Sequence, residues 1–264
     1  MELIEKTLER AGCRLHYWVG GRQNRPLVVF THGATISHLE WEATLPVVGE
    51  HFQVLTWDVR GHGASRPGLF DLEKAEADLL AILDEINIQQ AIFVGHSMGG
   101  NLHQELVFHY PDRVQALVFL DCTWNFQRLT SLEKFTLDLA GPIFKMYPYN
   151  LLVNQSLEMT AVTKASQELL RRAMQGLTKD EFTQIMVATA RCLHYEPGYQ
   201  INKPLLMIVG DKDPTGNIRK VMPVWASSEP RCKLEVIPNA KHAPNLDSPE
   251  LFHRLLLDFL TNLA

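Results

Sequence analysis

The sequence predicts an α/β fold: a mainly parallel central sheet with helices on both faces and an inserted helical cap. Three observations carry this expectation. Short apolar runs alternate along the chain with segments whose apolar residues fall at helical spacing, the order that builds parallel crossover units. A long stretch without strand pattern, 124–200, separates the early runs from two late ones. A strong helix signal at Ser248-Pro249 then closes the chain.

Taken in order, Cys13–Val19 and Leu27–Thr31 read as strands separated by a Gly20-Gly21 turn, followed by Phe52–Asp58, Ala91–Gly95 and Val114–Asp121. Runs this short and rich in Val, Ile, Leu and Phe suit the buried middle of a sheet. Between them, Asp71–Ile86 reads as a helix. Asp71 is its cap, Ala75, Leu79, Ile82, Leu83 and Ile86 its apolar face, and Glu73, Lys74, Glu76 and Glu85 lie on wetter faces. Met98–Tyr110 is a second helix, stopping near Pro111. Leu205–Gly210 and Cys232–Ile237 resume the strand pattern. In the last helix, Ser248 caps, Pro249 fits the first turn, and Leu251, Leu255, Phe259 and Leu263 share a face.

Within the insertion, Thr178-Lys179-Asp180-Glu181 fits a capping box ahead of a helix over Phe182–His194, and Ser156–Gln175 holds one or two more. The expected organisation is a core made of 1–123 and 201–264, with 124–200 as a helical cap whose two ends return together beside the sheet.

The 264 residues, 46% hydrophobic and 21% charged, suffice for a sizeable core. Twenty-five basic and thirty acidic residues give a net charge of -5, which makes no general case for nucleic-acid binding. Cys13, Cys122, Cys192 and Cys232 are widely separated and lack zinc-ligand spacing, so packed free thiols are expected. The amino end runs directly into charged sequence, and no apolar run approaches the roughly 18 residues of a membrane span. Cytoplasmic residence without a stable membrane partner is the resulting expectation.

Gly95-His96-Ser97-Met98-Gly99 is the segment that carries chemistry. It sits between a predicted strand and a predicted helix. Small residues on either side of Ser97 permit a sharp turn that exposes a hydroxyl, and this context is far more informative than the five letters alone. A serine alcohol is a weak nucleophile, so it needs a nearby base and donors for a developing oxyanion.

With this elbow, the Phe30-Thr31-His32-Gly33-Ala34 loop and a late His242, the chain resembles the α/β-hydrolase superfamily, particularly its compact, capped esterase-like members. The resemblance implies Ser97 as nucleophile, Asp213 of Gly210-Asp211-Lys212-Asp213 as acid and His242 as general base. It also implies an oxyanion hole made by the backbone N–H groups of Ala34 and Met98, with His32 supporting the loop. Asp211, two residues away, and Asp121, at another strand end, compete for the acid position. Lys241 stands where the resembling motif commonly has glycine. Asp58-Val59-Arg60-Gly61-His62-Gly63-Ala64-Ser65 is also characteristic of the fold and is read as structural, Asp58 and Arg60 steadying its turns.

Trp124, Phe126, Phe135, Phe144, Met146, Tyr147, Tyr149, Phe182 and Tyr195 of the insertion are able to surround an apolar group. The expected activity is therefore hydrolysis of a small to medium, partly hydrophobic carboxylic ester through an acyl-enzyme, with an acyl substrate and water as partners. No metal or cofactor is expected. Lactones, thioesters and carbon-carbon bonds are alternatives within the same chemistry, and a non-catalytic ligand-binding receptor is the alternative from another class. A serine rather than an aspartate at the elbow speaks against a haloalkane or epoxide hydrolase of the resembling type.

Overall fold

The computed structural model describes residues 1–263. Eight strands form one sheet in the order β1-β2-β4-β3-β5-β6-β7-β8. In chain order they are β1 Leu3–Arg10, β2 Cys13–Gly21, β3 Leu27–Thr31, β4 Gln53–Asp58, β5 Ala91–His96, β6 Val114–Leu120, β7 Leu205–Gly210 and β8 Cys232–Ile237. β1 and β2 pair antiparallel, as do β2 and β4. Every pairing from β4 through β8 is parallel. The expected sheet is therefore present, with an antiparallel edge added.

β1 is the strand that the sequence reading lacks. Its residues LIEKTLER are mostly exposed, so the edge strand carries charge on both faces and shows no apolar run. The Gly20-Gly21 pair is not a hairpin turn either. β2 runs through Gly21, and its neighbour is β4 rather than β3.

Alternation along the buried strands divides the core into two layers. Val28, Phe30, Val118 and Leu120 face one side, with Trp41, Phe252, Leu256 and Leu260. Leu27, Val29, Leu117 and Phe119 face the other, with Leu79, Leu102 and Trp225. Helix α1 (Thr44–Gly49) covers the first side. On the second lie α2 (Leu72–Glu85), whose first turn Asp71 caps by accepting from Lys74 N at 2.9 Å, and α3 (Met98–His109). Glu76 departs from its expected wet face: it is buried and its carboxylate meets the His109 ring at 3.0 Å.

Four helices follow β6: α4 (Ser131–Met146), α5 (Tyr149–Thr160), α6 (Lys164–Ala173) and α7 (Lys179–Ala190). They are the inserted cap. The Thr178/Glu181 capping box starts α7 as expected. The same signature at Thr130 and Glu133 starts α4, a helix the sequence reading did not place. α4 buries none of its residues, and Leu132, Phe135, Leu139, Ile143 and Met146 are exposed along it.

The cap is tied to the core at two sides. Arg66 donates to the Gly176 carbonyl at 2.6 Å, and Gln184 bonds both main-chain groups of Phe70. On the other side Ala243 N donates to the Thr160 carbonyl at 2.9 Å and Val162 N to Asp247 at 2.8 Å.

The chain closes with α8 (Ile218–Ser228), α9 (Pro244–Asp247) and α10 (Pro249–Thr261). α8 was not expected; Pro223 within it hides its periodicity. In α10 the fully buried stripe is Phe252, Leu256 and Leu260, one residue on from the expected face, which flanks it in half-buried positions. Ser248 occupies the cap position, but its side chain makes no capping bond. Among the described residues no helix is long and apolar enough to cross a membrane.

Candidate active site

The strands β3, β5, β7 and β8 end at one edge of the sheet, and the loops that leave them carry the site. β5 delivers Ser97 into a turn at φ 49° and ψ -114°, a left-handed conformation that L residues rarely take. Such a residue persists only where its surroundings fix it, at a cost of order 1–3 kcal/mol. Here Ser97 N donates to the Leu120 carbonyl at 2.9 Å, and its own carbonyl accepts from Asn101 N at 3.0 Å. A Cβ on Gly95 would collide with the main chain of Gly99 and Gly100, and one on Gly99 with that of Thr31 and His32. Both glycines are therefore demanded by the closeness of α3 to the sheet.

His242, on the loop after β8, places Nε2 2.9 Å from Ser97 Oγ. Its Nδ1 lies 3.0 Å from Asp213 Oδ2. Asp213 is held in turn by Thr215 N, which donates to Oδ1 at 2.8 Å. The three side chains thus form one hydrogen-bonded line, with His242 and Asp213 only 7% and 2% exposed. Burial by itself would raise the Asp213 pKa. The His242 ring, a hydrogen bond from Asp121 and the Thr215 amide overcome that and hold it at about 2, so the carboxylate is charged in all but strong acid.

Of the competing acids, Asp211 is exposed and does not reach the histidine; its main chain is tied to Ile237. Asp121 lies beside Asp213 instead. It accepts from Gly210 N at 3.1 Å, is fully buried and shares a hydrogen bond with Asp213. Burial first, then the Asp213 charge, pushes its pKa well above the ordinary carboxylate range, which favours the neutral form that donates to Asp213.

The sign of that shift sets a stability prediction. A raised carboxyl pKa contributes stability below the unfolded-state pKa and loses it as pH rises towards the folded-state value. Asp121→Asn keeps an acceptor for Gly210 and offers Asp213 an N–H donor. Its stability relative to wild type is therefore expected to improve from acid to neutral pH. Denaturant melts at the two pH values check this.

The loop after β3 completes the site. His32 Nδ1 donates to the Gly33 carbonyl at 2.7 Å while its Nε2 accepts from Val59 N at 3.1 Å, so the ring braces the loop. Gly33 N is spent on Glu40, at 3.0 Å. Ala34 N and Met98 N donate to no other group among the described residues. Met98 is the first residue of α3, where unpaired amides and the helix dipole favour negative charge. Asp58, which accepts from His38 N and Ala64 N at 2.7 Å each, and Arg60, bidentate to Asp78, hold the neighbouring loop from outside the site.

Ser97 and His242 open into a cavity of about 600 Å³ between sheet edge and cap. Of the nine aromatic or methionine side chains expected to enclose a ligand, only Phe144 and Phe182 line it. Trp124 stacks on Trp225, Phe126 packs against Phe108 and Tyr199, and Phe135, Met146, Tyr147 and Tyr195 are exposed. Aliphatic residues do the work instead, among them Leu137, Leu152, Leu170, Met174 and Met186. Among the described residues no lysine or arginine lines the cavity, and its one carboxylate beyond the sheet edge is Glu133.

Asp121, Asp213 and His242 also form the one grouping among the described residues whose donor atoms lie close enough, within 4.8 Å, to share a metal ion. All three are engaged with one another, with Ser97 or with Gly210. Sequence reasoning missed two partners of this site, Glu40 and Asn245. Neither belongs to a motif, and Glu40 reads as one more surface charge in His38-Leu39-Glu40-Trp41.

Eight strands, a strand-turn-helix serine and an inserted cap define a hydrolase-type α/β protein. The chain belongs to the alpha/beta hydrolase fold family, whose family model matches residues 26–249. It is similar to 3-oxoadipate enol-lactonase 2 of Acinetobacter baylyi, with 25% identity over 266 residues covering 95% of this chain and 94% of that one. It is also similar to epoxide hydrolase 3 of Mus musculus, with 25% identity covering 97% of this chain and 76% of the other. Among solved structures, a thermophilic esterase from Thermogutta terrifontis superposes with a TM-score of 0.82 over 100% of this chain and 99% of its own, at 19% identity.

Proposed function

We propose that the protein is a serine hydrolase that cleaves a neutral, largely apolar carboxylic ester through an acyl-enzyme. The observation that carries this reading is the unbroken line Asp213–His242–Ser97 at the floor of an apolar cavity.

In this reading His242 Nε2 takes the Ser97 proton as Oγ attacks the acyl carbon. Asp213 accepts from Nδ1–H, fixes the tautomer and stabilises the imidazolium that forms. The negative charge on the carbonyl oxygen meets the N–H groups of Ala34 and Met98, preset donors that need no reorganisation. The imidazolium returns its proton to the leaving oxygen, which departs as an alcohol. Water, deprotonated by His242, then attacks the acyl-enzyme and regenerates Ser97 with release of the acid.

A lactone is the second reading, and the full-length similarity to an enol-lactonase favours it. The steps are the same, except that the leaving oxygen stays tethered to the acyl group until water releases the hydroxy acid.

Among the described residues no lysine or arginine lines the cavity, which supports a neutral substrate. A carboxylate carried into this space would be desolvated without a cation to meet it. Neutral esters are therefore expected to exceed carboxylate-bearing analogues of similar size by at least about tenfold in kcat/KM. A hydrolysis panel of aryl esters, aliphatic esters and lactones, each with and without a distal carboxylate, tests both points. Equal rates for charged and uncharged members would remove the charge argument. Saturable binding of every compound without turnover or acylation of Ser97 would make the protein a receptor.

A further inference from the structure

The residue before the nucleophile takes part in a buried charge pair that no step above uses. His96 ends β5 and is 2% exposed; Glu40, on the turn of 3-10 helix at His38–Trp41, is fully buried. Nδ1 of His96 lies 2.7 Å from Glu40 Oε1. Nε2 lies 2.7 Å from the main-chain oxygen of His242. A carboxylate oxygen and a carbonyl oxygen only accept, whereas a neutral imidazole has one N–H and one lone pair. In either neutral tautomer an unprotonated, electron-rich ring nitrogen would lie 2.7 Å from an oxygen that can only accept. A proton on each nitrogen removes the conflict. The Glu40 contact runs off the axis of the N–H, so it is a charge pair more than a directed hydrogen bond.

Glu40 reaches further than His96. Its Oε2 accepts from Gly33 N at 3.0 Å, and its Oε1 from Asn245 Nδ2, on α9, at 3.2 Å. One carboxylate therefore joins the oxyanion loop, the strand that delivers Ser97 and the helix that follows His242. A Cβ on Gly33 would meet His96 Nδ1, so the ring lies directly under the loop.

We propose that His96 is a lasting imidazolium, and that its ion pair with Glu40 positions the Ala34 N–H and the His242 main chain on either side of Ser97. The assignment rests on the hydrolase reading of Ser97 and His242 given above. The ionisable groups around the pair agree with it. The His242 ring, 4.9 Å away between centroids, comes from the loop after β8, with Asp213 beyond it; His32, at the end of β3, faces Glu40. Burial disfavours charge on His96, but the Glu40 carboxylate outweighs it and raises the ring's pKa, while His96 lowers that of Glu40. Were the ring neutral, Glu40 would be a buried carboxylate with two N–H donors and no countercharge, a costly arrangement.

Nitrogen NMR of histidine-labelled protein reads the charge directly, with the His96 signals assigned by their loss in His96→Gln. Both ring nitrogens are expected to stay protonated from mildly acidic to mildly alkaline pH. A neutral tautomer through that range would overturn the proposal. Kinetics test the positioning role. Glu40→Gln removes the charge and keeps one of the two acceptor oxygens, so it still accepts from Gly33 N while its amide group replaces the oxygen that met Asn245. A fall in kcat on the order of 10²-fold is expected, with KM nearly unchanged, since the loss is of alignment and not of substrate contact. His96→Gln, which can still donate to the His242 carbonyl, should lose kcat in the same way, and Glu40→Asp should recover part of the loss. Folded Glu40→Gln and His96→Gln proteins with wild-type kcat would overturn the role. Should either variant fail to fold, the wild-type spectrum still decides the charge. A Ser97→Ala protein as active as wild type would instead sink the hydrolase reading and leave the NMR result standing.

Discussion

Ser97→Ala is expected to lower kcat by on the order of 10⁶-fold while leaving the fold intact, because in the proposed acyl-enzyme route every step passes through the Ser97 oxygen. The alanine methyl fits wherever the serine Cβ does, and the backbone bonds that hold the elbow, Ser97 N to Leu120 O and Asn101 N to Ser97 O, do not involve the hydroxyl. The residual rate measures what the cavity and the two N–H donors contribute alone. Two measurements check the outcome: the hydrolysis rate of the best neutral ester, and labelling by an acylating probe, which should vanish in the variant. Undiminished turnover in a folded Ser97→Ala protein would show that water, or another group, attacks directly.

The second large effect belongs to the acid. Asp213→Asn should cost on the order of 10⁴-fold in kcat. An amide in this place either turns its N–H towards His242 Nδ1 and selects the wrong tautomer, or accepts without the charge that stabilises the imidazolium. Asp211→Asn, exposed and two residues away, should stay near wild-type activity. Asp121→Asn should lose far less than Asp213→Asn, since an amide can donate to the same carboxylate and does not contact the His242 ring. Rates for the three variants under saturating substrate decide the order. A larger loss at Asp121 than at Asp213 would transfer the acid role to the end of β6.

Much of this was legible in the sequence, for physical reasons that can be named. Buried parallel strands have to be apolar on both faces, so β3 to β7 announce themselves as continuous runs. The elbow could be read because a sharp strand-to-helix turn tolerates so few residue types around Ser97. β1 could not, because an edge strand exposed on both faces has no apolar signature. The aromatic residues of the cap misled for a related reason. An apolar side chain at a helical position looks the same whether it faces a cavity, as Phe182 does, a tryptophan, as Trp124 does, or solvent, as Phe135 does. Asp121 and Glu40 were hidden for a different reason. Their roles depend on partners from distant segments, Asp213 in one case and Gly33, His96 and Asn245 in the other, and nothing in their own neighbourhoods distinguishes them from ordinary charges.

The bonds from the His242 segment to the cap have a consequence for timing. Ala243, next to the histidine, is held by the last turn of α5, and Asp247 by Val162, two residues beyond it. If the cap lifted on that side, it would pull on the chain that aims His242 at Ser97. Shelter for the substrate and alignment of the base would then be gained and lost as a single event. The side bounded by α4, which buries none of its own residues, makes no hydrogen bond to the His242 segment among the described residues. A substrate passing under α4 would meet a serine whose base is already in place.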